Sequence, residues 1–548
     1  MERRDFLKLT GALAVAPLAD GVAESPRISN PRGVNPSAVN VRALNQRATA
    51  DVVIIGAGSS GCVLANRLSA DPDVRVVLLE AGVSGEADPA MTTPGRWTSL
   101  VGSSYDWGYR SEPVPGMGDR RVAFPRGKAL GGSSAINAMT HIRGHRLCFD
   151  RWREAGNPGW GYDDVLPLFK RSERNQSGPS EFRGGDGPLA VSYCWDPHDG
   201  HRAFLTAALH AGYRSDARFD FNGPNPVAVA GYYQKNILDD RRHSAATAFL
   251  APALARPNLD VRTGCRATRL LVEGGRVVGV EYQRDGQRET VRAAREVVLS
   301  GGVIDSPKLL MLSGIGPADH LRAHGIGVVA DVPGVGGHLQ DHLKLSIRWK
   351  GLTELPGSTV TAGLFTVTGS VFPPDLQFYV GRGLEQPDWF VTITVSLVSP
   401  RSRGEVRLAS ADPAAAPLIR ANYLQEQGDV DALVYGTRLA RLMGTSSAYD
   451  RLRGDEIEPG PSATSPQDLE RFVRRAADSI YHGAGTCRMG PASDEAAVVD
   501  PELRVRGVQG LRVADASIMP EVVNAPTHAA AVMIGEKAAE LMGAVAQP

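Results

Sequence analysis

Three glycines and a glutamate in the first part of the chain have the spacing of a dinucleotide-binding site. Gly56, Gly58 and Gly61 form a G-x-G-x-x-G pattern, and Glu80 follows about twenty residues further on. The first glycine of such a pattern makes a tight turn, the second lets the backbone approach a pyrophosphate, and the third lets a helix pack closely on a strand. Glu80 is placed to accept a hydrogen bond from a ribose 2′-OH and would repel a 2′-phosphate. This pattern favours FAD or NAD over NADP.

The elements that must position these residues are a strand, a turn, a helix and a second strand. The apolar run from Val52 to Ile55 predicts the first strand, the periodicity from Cys62 to Leu68 predicts the helix, and Val76 to Leu79 predict the second strand. The pyrophosphate would rest on the helix N-terminus, where unpaired N–H groups and the helix dipole favour negative charge. Because glycine-rich turns are common, the prediction depends on these flanking elements and on the acid that follows the second strand.

Composition restricts the partners of the chain. Its 548 residues suffice for two or more domains, and 60 basic residues balance 60 acidic ones without a basic block. No nucleic acid partner, no anionic membrane surface and no membrane span are therefore expected. The cysteines are odd in number, widely spaced and without a C-x-x-C pair, which argues against a metal site or a disulfide framework and leaves a single bridge open. They are Cys62, Cys148, Cys194, Cys265 and Cys487.

The first residues have the pattern of an export signal. Arg3 and Arg4 precede a short, weakly apolar stretch from Leu9 to Ala16, as in a twin-arginine signal. Residues 1–24 are predicted to be this signal and residues 25–48 a linker, so that the protein would be periplasmic or secreted. A disordered basic tail with a short helix is the alternative interpretation.

Later segments repeat the α/β character of the first. Residues 259–300 predict short strands with a Gly-Gly hairpin turn, and Ser306 to Leu312 predict a helix. Residues 510–520 predict a buried strand, which a C-terminal helix from about Thr527 to Met542 follows. The alternating run from Phe390 to Leu397 instead predicts an antiparallel sheet.

The predicted fold class is α/β, with a Rossmann-like nucleotide-binding domain built from discontinuous segments. Residues 49–150, 232–342 and 479–548 are assigned to this domain. Residues 151–231 and 343–478 are assigned to an inserted α+β substrate-binding domain that contains the antiparallel sheet.

Several motifs resemble landmarks of the glucose–methanol–choline (GMC) oxidoreductase family. PRGKALGGSSAINAMTHIRGH at residues 125–145 resembles its first signature, and GGVIDSPKLLMLSGIGP at residues 301–317 resembles its second. VGGHLQDHL, YHGAGTCRMG, LRVADASIMP and the helix VMIGEKAAELM match further landmarks, so that the resemblance covers about residues 50–545. It implies FAD, a small-molecule alcohol substrate oxidised to an aldehyde or ketone, oxygen or another electron acceptor, and a flavin held between two domains.

The resemblance also implies which residues hold FAD. Residues 131–134 would offer N–H groups and hydroxyls near the phosphates and the ring, Asn137 would lie beside the cofactor, and Asp515 would meet the ribityl and pyrophosphate region. Taken singly, each has a plainer interpretation as a turn residue. The full set of FAD-binding candidates is Gly56, Gly58, Ser59, Ser60, Gly61, Glu80, Ala81, Gly131, Gly132, Ser133, Asn137, Ala138, Ala267, Asp515, Ala516 and Thr527.

Three positions depart from the family pattern. Some relatives attach FAD covalently through a histidine where this chain has Ile136, so non-covalent FAD is expected. Val303 replaces the usual small residue and Asp305 the usual asparagine of the second signature. Packing against the flavin is therefore expected to differ locally.

His482 is the candidate catalytic base. It matches the histidine of the family's Y-H-x-x-G-T motif, which takes the hydroxyl proton as a hydride leaves carbon for flavin N5. Histidine suits this task because its unperturbed pKa lies near neutrality.

The family's second catalytic histidine or asparagine falls at Pro526, whose side chain cannot hold an alkoxide. One interpretation places Pro526 itself in the site, as in the pyridoxine-oxidising branch of the family, although Ala484 departs from that branch. A second lets His528 or Asn524 replace it. A third is structural and compatible with both, with Asn524 capping a helix and Pro526 in the first turn.

Two other activities fit the same resemblance. A hydroxynitrile-lyase-like enzyme keeps FAD without redox chemistry, and a fatty-acid photodecarboxylase needs a long apolar tunnel. A flavin-binding protein with little activity is a further alternative, against which the complete motif around His482 argues.

Overall fold

The computed structural model describes residues 48–193, 196–223, 226–355, 360–369, 373–380 and 390–544. The predicted export signal, all but the last residue of the predicted linker, and Cys194 lie outside the described residues. The other four cysteines are buried and free of disulfide bonds.

The strands are β1 (Thr49–Ile55), β2 (Val76–Leu79), β3 (Glu173–Asn175), β4 (Leu189–Val191), β5 (Arg214–Ser215), β6 (Val229–Tyr232), β7 (Ile237–Leu238), β8 (Arg241–Arg242), β9 (Leu259–Arg262), β10 (Arg266–Glu273), β11 (Arg276–Arg284), β12 (Gln287–Leu299), β13 (Ile315–Gly316), β14 (Ala330–Asp331), β15 (Leu343–Gly351), β16 (Ala362–Thr366), β17 (Leu376–Val380), β18 (Phe390–Leu397), β19 (Glu405–Arg407), β20 (Leu418–Arg420), β21 (Arg453–Glu458), β22 (Asp478–Ser479) and β23 (Leu511–Val513).

The α-helices are α1 (Ser59–Leu68), α2 (Pro89–Thr92), α3 (Arg146–Glu154), α4 (Tyr162–Ser172), α5 (Asp199–His210), α6 (Ala251–Ala253), α7 (Gly302–Leu312), α8 (Ala318–Ala323), α9 (Gln427–Gly444), α10 (Pro466–Ala476) and α11 (His528–Leu541). Ala246–Leu250 form a π-helix, and short 3₁₀ helices occur at Pro94–Leu100, Pro115–Met117, Gly132–Ala135, Ser447–Tyr449 and Ala516–Ile518.

A seven-stranded sheet carries the nucleotide-binding motif. Its order is β10-β11-β12-β1-β2-β9, and β23 pairs with β12 as well. β1 runs parallel to β2 and to the second half of β12, while the first half of β12 pairs antiparallel with β11. The Rossmann-like α/β architecture is thereby confirmed. The sequence pattern predicts only short strands in residues 259–300, whereas the structure has one strand of 13 residues from Gln287 to Leu299.

The helix after the glycine-rich turn begins earlier than its apolar period indicates. α1 starts at Ser59 rather than Cys62, and the preceding Gly58 is extended. The two serines and Gly61 are polar or small, so they are invisible to a hydrophobic pattern although their N–H groups form the first helical turn. The turn therefore opens directly onto a helix N-terminus, which is the arrangement that favours a pyrophosphate.

An eight-stranded, largely antiparallel sheet forms the second domain, in the order β21-β15-β18-β17-β16-β6-β5, with β22 also paired to β15. The predicted antiparallel sheet is confirmed, since β18 pairs antiparallel with both β15 and β17. Along β15, Leu343, Leu345, Ile347 and Trp349 are buried. The alternate residues face the other side of the sheet, as the two-residue period of a strand requires.

The C-terminal helix closes the first domain against its beginning. The Ser60 hydroxyl in α1 donates to the Ala531 carbonyl in α11 at 2.7 Å. The Glu536 carboxylate, with a fully buried side chain, pairs with Arg67 at 2.7 Å and with Arg171 at 2.9 Å. Two arginines offset the desolvation of this one carboxylate, so removal of either would leave buried charge without its full set of partners.

Among the described residues, no helix is both long and apolar enough to cross a membrane. The same residues contain no group of three or more histidine, cysteine, aspartate or glutamate side chains arranged to hold a metal ion.

Candidate active site

Residues of both large sheets line a cavity of about 890 Å³. Of the predicted FAD-binding residues together with His482, Pro526 and His528, all but Gly61 and Gly131 line it. These lining residues are Gly56, Gly58, Ser59, Ser60, Glu80, Ala81, Gly132, Ser133, Asn137, Ala138, Ala267, His482, Asp515, Ala516, Pro526, Thr527 and His528. The structure thus brings the candidate catalytic residues and the glycine-rich turn to one cavity.

Close backbone approach explains the glycines that bracket the turn. Gly56 has φ +100°, and a Cβ on Gly61 would lie 2.0 Å from the Gly56 carbonyl oxygen. Gly61 therefore supports the site by letting α1 pack on the turn. Gly58 differs, because the nearest described atom to a Cβ there is the Ser300 oxygen at 3.7 Å.

Glu80 is fixed by the backbone of both segments that meet at the turn. Its Oε2 accepts from the Ala57 N–H at 2.8 Å, and its Oε1 accepts from the Gly82 N–H at 2.8 Å. Burial raises the pKa of Glu80 to about 7, against the lowering effect of these hydrogen bonds. Each carboxylate oxygen has a further lone pair, so the side chain can still accept from a ribose hydroxyl.

Asp515 joins two helix N-termini at the cavity wall. Its Oδ2 accepts from the Gly302 N–H at 2.8 Å and from the Ser306 hydroxyl at 2.6 Å. Its Oδ1 accepts from the Ser517 N–H at 2.8 Å. Asp515 therefore fixes the local turns through these hydrogen bonds and also lines the cavity.

Asn137 is oriented by an arginine that sequence analysis did not select. Its amide oxygen accepts from Arg242 Nη1 at 2.8 Å and from the Met139 N–H at 3.0 Å. The neighbouring Ile136 also lines the cavity. Only the resulting fold reveals Arg242, which lies 105 positions from Asn137.

The departure at Asp305 is accommodated by a tyrosine. The Tyr109 hydroxyl donates to Asp305 Oδ1 at 2.8 Å. Burial raises the pKa of Asp305, while Lys308 and the Tyr109 hydrogen bond oppose that rise. The Asp305 carboxyl therefore lines the cavity while it accepts a hydrogen bond from Tyr109.

His482 is held at both ends. Its backbone N–H donates to Asp341 Oδ1 at 2.7 Å, and its ring Nδ1 lies 3.1 Å from Nδ1 of His342. The two rings meet edge to face, with centroids 5.2 Å apart. Because Nδ1 is engaged by His342, Nε2 is the ring nitrogen left to act on a substrate.

The electrostatic surroundings keep His482 neutral. Burial lowers the pKa of His482 well below its ordinary value of 6.5, and the nearby His342, Arg126 and Lys344 lower it further. Burial also lowers the pKa of His342 to about 3. Of two neutral imidazoles that share a hydrogen bond, one must donate and the other accept.

Asp341 fixes the backbone of His482 and was not identified from the sequence. It is buried, and its Oδ2 accepts from the Tyr423 hydroxyl at 2.6 Å and the Ser479 hydroxyl at 2.5 Å. Burial raises its pKa, whereas Ser479, Tyr423 and Arg126 lower it. Asp341 and His342 stand in the VGGHLQDHL landmark, which was the available signal for both residues.

The structure separates the three residues considered for the second catalytic position. Pro526 and His528 both line the cavity, and His528 Nδ1 lies 2.9 Å from the hydroxyl of Ser59 in the glycine-rich turn. Asn524 is buried, with its oxygen accepting from the His145 N–H at 2.8 Å and its nitrogen donating to the Pro374 carbonyl at 3.0 Å.

Three expectations for this segment are therefore wrong. Asn524 does not reach the cavity, because His145 and Pro374 take up its amide. It does not cap the last helix either, and Pro526 does not lie in the first turn, since α11 begins at His528 with Thr527 as its N-cap.

The residues present fit FAD. The turn between β1 and α1 has its helix N-terminus on the cavity, Glu80 retains acceptor capacity, and a Cβ at Gly58 would meet no described atom within 3.7 Å. A cavity of about 890 Å³ continues from there to His482. These features match a dinucleotide whose adenosine end meets Glu80 and whose flavin lies toward the histidine.

Comparison with known proteins agrees with this fit. The sequence models of GMC oxidoreductases match residues 50–344 and 400–535. The oxygen-dependent choline dehydrogenase of Sinorhizobium medicae is 41% identical over 90% of this chain and 95% of its own length. The mitochondrial choline dehydrogenase of Mus musculus is 41% identical over 89% of each chain.

Solved structures give the same result. Pyridoxine 4-oxidase from Mesorbium loti has a TM-score of 0.85 and 34% identity, covering 90% of this chain and 98% of its own. A formate oxidase variant from Aspergillus oryzae has a TM-score of 0.83 and 27% identity, covering 91% and 99%. Because the family models span most of the described chain and the relatives match over nearly their whole length, this protein belongs to the GMC oxidoreductase family.

Proposed function

We propose that this GMC-type, FAD-dependent alcohol dehydrogenase or oxidase uses His482 to deprotonate the CH–OH group of its substrate, with FAD held non-covalently. The FAD-dependent alcohol oxidoreductase class follows from the relatives. The observation that carries the finer proposal is a neutral His482 at the cavity wall, with Nδ1 engaged and Nε2 remaining.

FAD would be held by the glycine-rich turn, Glu80 at the adenosine ribose, and Asp515 with Asn137 nearer the flavin. When bound, FAD supplies the two-electron oxidant that accepts a hydride from the alcohol carbon. Ile136 has no nucleophilic group, which supports non-covalent attachment.

The chain's own part is to hold and move one proton. If Nδ1 of His482 carries the ring hydrogen and donates to Nδ1 of His342, then Nε2 has its lone pair free to accept the hydroxyl proton. The Asp341 carboxylate fixes the backbone of His482 and so limits rotation of the base. A neutral base of this kind can act without first losing a proton to solvent.

Pro526 is proposed to occupy the second position, with no side-chain donor of its own. His528 is proposed to support the glycine-rich turn through Ser59 rather than to touch the substrate oxygen. The alkoxide that develops would then depend on the imidazolium of His482 for its main stabilisation.

The test is an anaerobic visible spectrum of the purified, FAD-loaded protein titrated with primary, secondary, aromatic and sugar alcohols. Bleaching of the flavin is the expected result. His482→Ala should retain FAD and slow the bleaching by about a hundredfold or more. His210→Ala serves as the matched control, because His210 is exposed and lies outside the cavity.

The same spectroscopic experiment distinguishes the alternative activities. A lyase turns over while the flavin stays oxidised, and a photodecarboxylase consumes a fatty acid only under blue light. Wild-type bleaching in His482→Ala would overturn the assignment of the base. Repeating the titration with oxygen or an artificial dye as acceptor separates oxidase from dehydrogenase.

We further propose that residues 1–24 direct twin-arginine export to the periplasm or beyond. The support is the Arg3-Arg4 pair before a weakly apolar stretch. A reporter fused behind these residues should leave the cytoplasm, and Arg3→Lys with Arg4→Lys should retain it there. Export of both fusions would contradict the assignment.

A further inference from the structure

The antiparallel sheet presents a polar wall to the cavity. Along β15 the residues alternate, so that Lys344, Ser346 and Arg348 line the cavity while their neighbours are buried behind the sheet. On the paired strand β18, Thr392 and Thr394 line the same space, and the Ser346 and Thr394 hydroxyls lie 3.1 Å apart. The strands β15 and β18 therefore offer hydrogen-bonding and cationic groups to the cavity.

Lys344 is the cation of this wall that lies nearest the chemistry. Its ammonium stands 5.7 Å from the ring centroid of Tyr481, the residue just before the proposed base. Its charge also acts on His482 directly, because it helps to hold the pKa of that histidine low. A ligand that contacts both His482 and Lys344 would carry two groups. Its hydroxyl would react at His482, and its second group would bind Lys344.

Most other cations at the cavity already have partners. Arg348 pairs with Glu458 at 3.7 Å, Lys235 donates to the Ala138 carbonyl at 3.2 Å, and Lys308 donates to the Pro413 carbonyl at 2.8 Å. Within the described part of the chain, Lys344 makes no hydrogen bond through its ammonium and no ion pair. Asp478, paired with it through the backbone, attracts it only at longer range.

The acidic residues that line the cavity cannot neutralise Lys344. In the described ranges they are Glu80, Asp305 and Asp515, all in the first domain. Each already accepts hydrogen bonds there, from Ala57 and Gly82, from Tyr109, or from Ser306 and its neighbours. Lys344 is partly buried, and burial lowers the pKa of its ammonium, so a negative charge on the ligand would stabilise the charged form.

We propose that Lys344 binds an anionic group of the substrate, so that the preferred substrates are alcohols carrying a carboxylate or a phosphate. The inference rests on the proposed alcohol oxidation at His482 and adds the class of alcohol. It separates this chain from its choline-oxidising relatives, since the fixed positive charge of a trimethylammonium alcohol would meet the ammonium of Lys344.

A matched series of benzyl alcohols tests this substrate class. The probes carry carboxylate, phosphate, methyl or trimethylammonium at the para position, and γ-hydroxybutyrate against butanol gives an aliphatic pair. The carboxylate or the phosphate should exceed the methyl compound in kcat/KM, and the trimethylammonium compound should be poorest. The anionic probe with the higher kcat/KM shows whether the natural substrate carries a carboxylate or a phosphate.

Variants locate the effect at Lys344. Lys344→Met should lower the ratio of kcat/KM for the anionic probe to kcat/KM for the methyl compound by about tenfold to a hundredfold, and it should retain FAD. Lys344→Arg should restore much of the preference because it keeps the charge. Lys350→Met is the control, since Lys350 lies on the same strand but is exposed and outside the cavity.

Binding without turnover separates this inference from the proposed function. Benzoate and phenyl phosphate, which have no CH–OH group, should perturb the spectrum of the bound FAD and should bind Lys344→Met about tenfold more weakly. Equal binding to both proteins, with neutral alcohols still oxidised, would overturn the anion site alone. Lys344-dependent binding without reduction by any alcohol would support the anion site and overturn the proposed oxidation.

Discussion

At the scale of single residues, the state of His482 makes a direct prediction about pH. Burial and three neighbouring groups hold its pKa below the ordinary 6.5, so the base stays unprotonated as the pH falls through that value. The acid limb of kcat/KM for a neutral substrate such as para-methylbenzyl alcohol should therefore lie below pH 6.5. A base with an unshifted pKa would retain only about a tenth of its activity one pH unit lower. A limb at or above pH 6.5 would contradict the burial of the base.

A second residue-scale prediction concerns Pro526 and His528. His528→Ala should release FAD more readily by about threefold to tenfold, because it removes the partner of Ser59, while the rate of flavin reduction at saturating FAD changes little. Pro526→Asn should change that rate instead, since Pro526 lines the cavity. Rapid-mixing spectra and FAD titration of both variants measure the two effects separately. If only His528→Ala greatly slowed flavin reduction, His528 rather than Pro526 would occupy the second catalytic position.

The sequence revealed some of these residues and concealed others for a physical reason. His482 and Pro526 stand in or beside short motifs that resemble those of the family, so local spacing reveals them. His342 contacts His482 from 140 positions away, so the pair exists only after folding. Lys344 belongs to an alternating run, but a strand's period does not say which face meets the cavity until its partners are known.

At the scale of elements, the contact between the glycine-rich turn and α1 depends on the absence of one side chain. Gly61→Ala would place a Cβ 2.0 Å from a backbone oxygen that cannot rotate away. We expect about 3 kcal/mol or more of destabilisation, together with loss of bound FAD. Chemical unfolding of the FAD-free protein measures the first effect, and the flavin-to-protein absorbance ratio measures the second.

Gly58→Ala is the matched variant for that prediction. The nearest described atom to its added Cβ is 3.7 Å away, so the fold should tolerate it. Its methyl group would project toward the cavity and weaken FAD binding without lowering the stability of the FAD-free protein. Equal destabilisation by both substitutions would show that packing of α1 is not what distinguishes the two glycines.

Local periodicity predicted the elements around the turn and the hairpin of β10 and β11. It did not predict that the charged residues from 287 to 296 and the apolar end of β12 form one strand. The first half of that strand is partly exposed and pairs with its neighbour in sequence, whereas the second half is buried between β1 and β23. Only non-local pairing joins the two halves.

At the scale of the whole molecule, buried neutral histidines link stability to pH. Burial lowers the pKa of six of them to about 3 or about 4, namely His141, His201, His243, His342, His338 and His528. Below pH 6.5 the unfolded chain binds protons that the folded chain excludes, so stability present above that pH is lost as the pH falls.

The melting temperature of the holoprotein should therefore decrease as the pH is lowered from 7 toward 5. Each such histidine contributes up to about 1.4 kcal/mol per pH unit in this window. His243→Gln should make the decrease shallower, because glutamine can accept from the Ala190 N–H, now bound at 3.1 Å, without titrating. A melting temperature independent of pH across the window would contradict the linkage.

The contacts of β23 with β12 and of α11 with α1 have a consequence for how the protein folds during synthesis. During synthesis β12 emerges long before β23, and the surface of α1 that receives α11 stays bare until α11 leaves the ribosome. The nucleotide fold can therefore be completed only once β23 and α11 have been made, and a chain stopped before β23 would keep an unpaired strand edge. Such a product would be visible to proteases and chaperones before it could capture a cofactor.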